Sequence, residues 1–196
     1  MAEDINVTIG ESEAITVSFV GGIPATLSEC RMNIVDIKAA DTDGIHAAIA
    51  GIDGAQEITT AITNPGESRN ITITCTDLAA SSGTVTITGL VRGASTTEDI
   101  VISLGATVQG NKAFDTVTKI EIPATLKVGD SLQVGFGDKI GLTNTISAAS
   151  KVFKITINAN DVTSTYVPAK VNATYSTIDF STIGAWQEIT IHYLGS

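Results

Sequence analysis

An all-β fold, an immunoglobulin-like or jelly-roll-like β-sandwich with an N-terminal strand extension or arm, is what this sequence predicts. Three observations predict it. Apolar and polar residues alternate with period two in stretch after stretch, the signature of strands with one buried face. Turn formers such as Gly21-Gly22, Asn64-Pro65-Gly66, Ser81-Ser82-Gly83, Gly129-Asp130 and Gly184-Ala185 punctuate those stretches. Long amphipathic helices are missing, and many short strands at regular spacing suit a sandwich closing on one core.

Taken in order, the first strands are expected around Ile5, Val7 and Ile9, and around Ile15, Val17 and Phe19, where these residues alternate with polar neighbours. Gly21-Gly22-Ile23-Pro24 follows as a hinge. Between Asp41 and Ile52, Ile45, Ala48, Ile49 and Ile52 lie at helical spacing behind a capping Asp43, bracketed by Gly44 and Gly51. A turn or two of helix, or an extended loop, is expected there. A boundary is placed in the same neighbourhood, with residues 1–40 as N-terminal strands and assembly arm and residues 41–196 as the main sandwich. Further strands are predicted at 71–75, 84–88, 99–104, 117–122, 131–136, 151–157, 176–180 and 188–193. Thr and Ile dominate them because branched side chains pack well on a pleated surface.

Composition limits the function. The 196 residues can bury a substantial core. Only 16% are charged, against roughly 25% in typical soluble domains, so Ser and Thr supply much of the polar surface. A net charge of −10, with the lysines scattered, opposes a nucleic-acid surface, which needs clustered cations to displace counterions from phosphates. No apolar run approaches the length of a spanning helix, and Met1-Ala-Glu-Asp4 is acidic where a signal peptide is basic. Neither membrane nor nucleic acid is expected as a partner, and folding in a cytoplasm is expected unless a leader has been removed. Cys30 and Cys75 lack zinc-site spacing; Cys75 sits on the apolar side of its alternation and reads as a buried thiol. A Cys30–Cys75 disulfide would require an oxidising compartment.

Several segments imitate chemistry. Gly105-Ala-Thr-Val-Gln-Gly-Asn-Lys112 resembles a phosphate loop, yet its Lys is displaced by one position, Ala113 stands where a hydroxyl should follow, and no helix comes after it. Gly135-Phe-Gly-Asp-Lys-Ile-Gly141 has glycines at the wrong spacing for a dinucleotide site, and they read as strand ends and tight turns. Asp41-Thr-Asp-Gly44 opens like a calcium loop without completing it. His46 and His192 have no local nucleophile or acidic orienter. The sequons at Asn6, Asn70 and Asn172 carry no weight without export. The reading is therefore of no enzyme, no catalytic residue, no cofactor and no metal.

The order of Asp41-Thr-Asp-Gly-Ile-His-Ala47, Ile62-Thr-Asn-Pro-Gly-Glu-Ser-Arg-Asn-Ile-Thr72, Thr97-Glu-Asp-Ile100, Lys112-Ala-Phe-Asp-Thr-Val-Thr-Lys-Ile120 and Gly135-Phe-Gly-Asp-Lys-Ile-Gly-Leu142, with the terminal strand ending in Tyr193-Leu194, resembles a family of structural proteins of tailed bacteriophages. The resemblance implies a non-enzymatic β-sandwich of the virion, made in the host cytoplasm: a capsid decoration or minor head protein that stabilises the particle. It further implies homo-oligomers and contacts with the major capsid or tail protein. Assembly contacts are then expected from Ile5, Val7, Ile9, Ile15, Val17 and Phe19, through an arm that pairs with a neighbour's sheet edge. The alternative is a carbohydrate- or receptor-binding module of a tail or surface appendage, using Trp186 and Tyr193 as ligand contacts.

Overall fold

The computed structural model describes residues 4–9, 13–18, 28–181 and 188–195. Among them the expected all-β class holds: sixteen strands and only two single-turn helical segments, Ala149–Lys151 and α1 (Thr163–Tyr166). The strands form four sheets.

The first is a hairpin of β1 (Asp4–Ile9) and β2 (Glu13–Ser18), in which Ile5 lies opposite Val17 and Val7 opposite Ile15. The second sheet runs β5 (Gln56–Ile58), β10 (Thr116–Ile122), β7 (Thr84–Val91), β8 (Ala94–Val101). The third runs β14 (Val171–Asn172), β15 (Thr177–Asp179), β11 (Ser131–Gly141), β6 (Arg69–Cys75), β9 (Thr107–Phe114), with β4 (Asp41–Ala50) also paired to β11. The fourth runs β13 (Asn160–Asp161), β12 (Val152–Ile157), β16 (Ile189–Gly195), β3 (Ser28–Ile34).

These sheets enclose two cores where the sequence led to an expectation of one. Ile71, Ile73, Val85, Ile87, Phe114 and Ile120 fill the first, between the second sheet and the first half of the third. The other lies between the fourth sheet and the far end of the third, and holds Ile140, Leu142, Ile155, Ile178, Ile191 and Tyr193. Strand β11 serves both: its Leu132, Val134 and Phe136 enter the first core, and its Ile140 enters the second.

The passage from one core to the next is a bulge. Phe136 faces Ile71 and Ile140 faces Arg69, so β11 spends more residues than β6 over the same stretch. Extra residues in a bulge lose their ladder partners, and buried backbone groups need replacements. Two side chains of β6 supply them. The Arg69 guanidinium donates to the Gly137 carbonyl from both Nε (2.7 Å) and Nη2. Asn70 Oδ1 accepts the Lys139 N–H at 2.9 Å.

Two expectations change here. Asp41–Ala50 is a strand and not a helical turn or loop. Its buried Ile45 and Ile49 are four apart, an even spacing that fits a strand as well as a helix, and pairing with β11 decides between them. The stretch just before residue 40, assigned to the arm, also belongs to the body. β3 pairs with β16 from Ser28 to Ile34, Ile34 and Ile37 enter the second core, and Arg69 Nη1 donates to the Lys38 carbonyl at 2.9 Å.

Candidate functional site

The stretch that imitates a phosphate loop is a strand. Residues 107–114 form β9, and Gly105, at φ +63°, makes the turn before it. Lys112 Nζ donates to the Thr97 carbonyl (2.6 Å) and to Thr96 Oγ1 (3.0 Å). Glu98 accepts the backbone N–H groups of Asn111 (2.6 Å) and Lys112 (3.2 Å). Side chains that would meet a nucleotide instead fasten β8 of one sheet to the edge strand of the other.

The glycine-rich stretch of β11 contains no turn either, which corrects the expectation of strand ends. Its glycines permit close approach: a Cβ on Gly135 would lie 2.0 Å from the Asp41 carbonyl oxygen, and one on Gly137 would lie 2.7 Å from the Asn70 amide. Asn70 is fully buried, and its Nδ2 donates to the Gly110 carbonyl at 3.2 Å. That sequon is a structural link between strands.

The histidines are separated. His46 lies on β4, its Nδ1 2.7 Å from the Ala47 carbonyl oxygen. His192 lies on β16 and turns away from the core that takes Ile191 and Tyr193; its Nδ1 is 3.7 Å from Glu29. Asp41 Oδ1 accepts the Asp43 N–H at 3.2 Å, and the neighbouring Asp41 carboxylate holds the Asp43 carboxyl above its ordinary range. Among the described residues no group of three or more His, Cys, Asp or Glu is placed to hold a metal. Cys75 is a free thiol in the first core, and Cys30 packs against the second. Burial pushes the Cys75 thiol up, with Asp130 and Asp77 adding to it.

Of the two aromatic ligand candidates, Tyr193 is corrected into the core. It is 0% exposed, and its hydroxyl lies 2.6 Å from Thr143 Oγ1 and accepts the Asn144 N–H at 3.2 Å. No face of the ring is open to a ligand. Trp186 lies outside the described residues, as does Phe19 of the assembly set.

Sequence reasoning passed over two polar centres that the fold assembles. Arg69 is 1% exposed, bonds Glu67 at 2.7 Å and lies 5.0 Å over the Phe136 ring. Asp130 closes the opposite end of the first sandwich: its Oδ1 accepts the N–H groups of Leu78 (2.8 Å) and Ala79 (3.0 Å) and the Thr76 hydroxyl (3.1 Å). The Ser81 hydroxyl beside it and these donors hold its carboxyl down to about 2. An Arg before a strand and an Asp after Gly129 are ordinary surface signals in sequence; only the long-range partners show otherwise.

Where the two cores meet, a cleft of about 650 Å³ opens. Its lining includes Met32 to Asp36, Glu67, the Arg92-Gly93 turn, Asp115 and Leu142. Arg92 and Gly93, at φ +49° and +73°, form the tight turn between β7 and β8. From this turn Arg92 Nη1 donates to the Tyr175 carbonyl at 3.2 Å, tying the first sandwich to the second. β3 is the last strand of its sheet, so its outer edge borders this cleft unpaired among the described residues. The arrangement can bind extended polypeptide by main-chain hydrogen bonding. No helix among the described residues is long and apolar enough to cross a membrane. Comparison with protein-family models, with curated proteins and with solved structures finds no match for this chain.

Proposed function

We propose that this chain is a non-enzymatic structural component of a tailed-phage virion, a capsid decoration or minor head protein acting through protein–protein contacts. The observation that carries the reading is the shared strand. β11 runs through both cores, and Arg69 and Asn70 close the bulge between them. Two sandwiches joined this way resist bending at their junction, which suits a part that bears load in a particle. Among the described residues the hairpin β1–β2 pairs with no further strand and β3 is paired on one side only, and such edges suit pairing with neighbours. The order of turn and strand motifs resembling tailed-phage structural proteins points the same way. The glycan-binding alternative loses Tyr193, whose ring is fully buried.

Electron cryo-microscopy of the native particle tests the proposal. Density for two fused sandwiches is expected at repeated positions on the head, with a matching copy number by quantitative mass spectrometry. Purified particles that lack the chain would sink it.

A further inference from the structure

We propose that the outer edge of β3 is a strand-acceptor site and that its occupant is the β1–β2 hairpin of a second copy of this chain. The inference rests on the assembly reading above and names the surface that reading leaves open.

Four observations carry it. First, β3 is unfinished. It ends its sheet, and its core-facing Cys30 and Met32 are only partly covered although they pack on the second core. Another strand, about 4.8 Å away in the hydrogen-bonding direction, would complete both the ladder and the cover. The cleft of about 650 Å³ is lined by Met32, Asn33 and Ile34 of β3 and by Val35 and Asp36 beyond its end, a space that an extended segment could enter. Second, the hairpin is unfinished too. It forms a two-stranded sheet of its own, and such ribbons are marginal in water until a third strand or a packed face supports them. Its register sets Ile5 opposite Val17 and Val7 opposite Ile15, an alternation that would continue the Cys30, Met32, Ile34 alternation of β3.

Third, charge favours the pairing. The first twenty residues, which carry the hairpin, contain Glu3, Asp4, Glu11 and Glu13 and no Lys or Arg. Arg31 on β3 and Lys38 beyond its end form no ion pair among the described residues, and Lys38 and Arg92 both line the cleft. Of the three acids that line this groove, Glu67 is engaged by Arg69 and Asp115 accepts the Gly93 N–H at 3.1 Å, which leaves Asp36 beside Lys38 and Arg92. Fourth, β2 and β3 are consecutive in sequence, and consecutive strands usually pair, yet here each stays in a different sheet. Because the two do not pair within one chain among the described residues, the donor is taken from another copy. An exchange of this kind between identical chains gives either a closed dimer or an open string, according to the rotation between copies.

Disulfide trapping in the full-length chain tests this. Two single variants, Thr16→Cys and Asn33→Cys, are each made with Cys30→Ser and Cys75→Ala, mixed and oxidised. A covalent heterodimer is expected in several-fold excess over either homodimer, and over a control pairing Thr16→Cys with Thr156→Cys on β12, a strand already paired on both sides. If the mixed singles stay uncoupled while the double variant closes within one chain, the chain's own hairpin occupies the edge and the proposal is overturned. Folding of these variants is checked by circular dichroism, and the unaltered chain provides a second reading. Backbone amides at Arg31 to Val35 should exchange several-fold more slowly at high protein concentration than at low; exchange independent of concentration overturns the proposal. Neither measurement needs a particle. Pairing without incorporation into particles would sink the virion reading alone, and labelled particles without pairing would sink this one alone.

Discussion

At the scale of single residues, two carboxylates set opposite pH dependences. Asp130 has its carboxyl lowered to about 2 from an ordinary 3.8 by the Ser81 hydroxyl and by donors from Leu78, Ala79 and Thr76. A depressed carboxylate stabilises the fold above its unfolded value, and that stability is lost as pH falls through the folded one. Urea midpoints should therefore separate the native chain from Asp130→Asn at pH 7, with the gap closing between about pH 4 and pH 2. Asp138 runs the other way. Burial, reinforced by Asp179, raises its carboxyl despite Arg69 nearby, so its ionised form opposes folding. Asp138→Asn should raise the neutral-pH midpoint, and the gain should vanish once the pH falls below the ordinary carboxylate range. Arg69 has the most to lose by truncation. Arg69→Ala leaves the Gly137 and Lys38 carbonyls and the Glu67 carboxylate without their donor, and should cost on the order of 3–5 kcal/mol in chemical denaturation. Arg69→Lys should recover only part, because an ammonium cannot span the carbonyls that the guanidinium fork reaches.

At the scale of elements, the glycines of β11 and of the loop before β6 make a contrast. Gly135→Ala would put a methyl group 2.0 Å from the Asp41 carbonyl oxygen, so β4 must move off β11. A loss of about 1–3 kcal/mol is expected, with faster amide exchange along β4. Gly66 has nothing within 4 Å of its Cβ position and no positive φ. Gly66→Ala should stabilise by about 0.4–1 kcal/mol, because Ala restricts the unfolded chain without straining the folded one. Equal effects at the two positions would refute close approach as the reason for glycine in β11. The alternation legible in sequence explains β6, β7, β10 and β16, whose apolar residues face one core. β4 and β9 were not legible: their signals are mixed with Gly, Ala and charges, and pairing with β11 and β6 overrides local preference.

At the scale of the whole molecule, the shared strand predicts cooperativity. Ile120→Ala in the first core and Ile191→Ala in the second each remove a fully buried side chain and should each cost about 2–5 kcal/mol. Because β11 belongs to both cores, each variant should shift one common unfolding transition, followed by circular dichroism and by amide exchange in the other core. Two separated transitions would mean that the bulge at Phe136 to Ile140 does not couple the sandwiches. Burial of Tyr193 belongs to this scale as well. Its place beside Thr143 and Asn144 arises from the meeting of the terminal strand with the chain beyond β11.

The sequence by itself determined the all-β class, most strand positions and the burial of Cys75, because period-two alternation and turn chemistry are local properties that survive any topology. It also showed that the phosphate-loop and dinucleotide resemblances break their own spacing rules. Only the tertiary structure decided that there are two cores, that Ser28 to Lys38 belong to the body, that β11 passes unbroken through its glycines, and that Arg69 and Asp130 are buried. Those facts depend on partners far away in the chain. A glycine that admits a neighbouring backbone and a glycine that makes a turn are the same letter, and contact across sheets is what separates them.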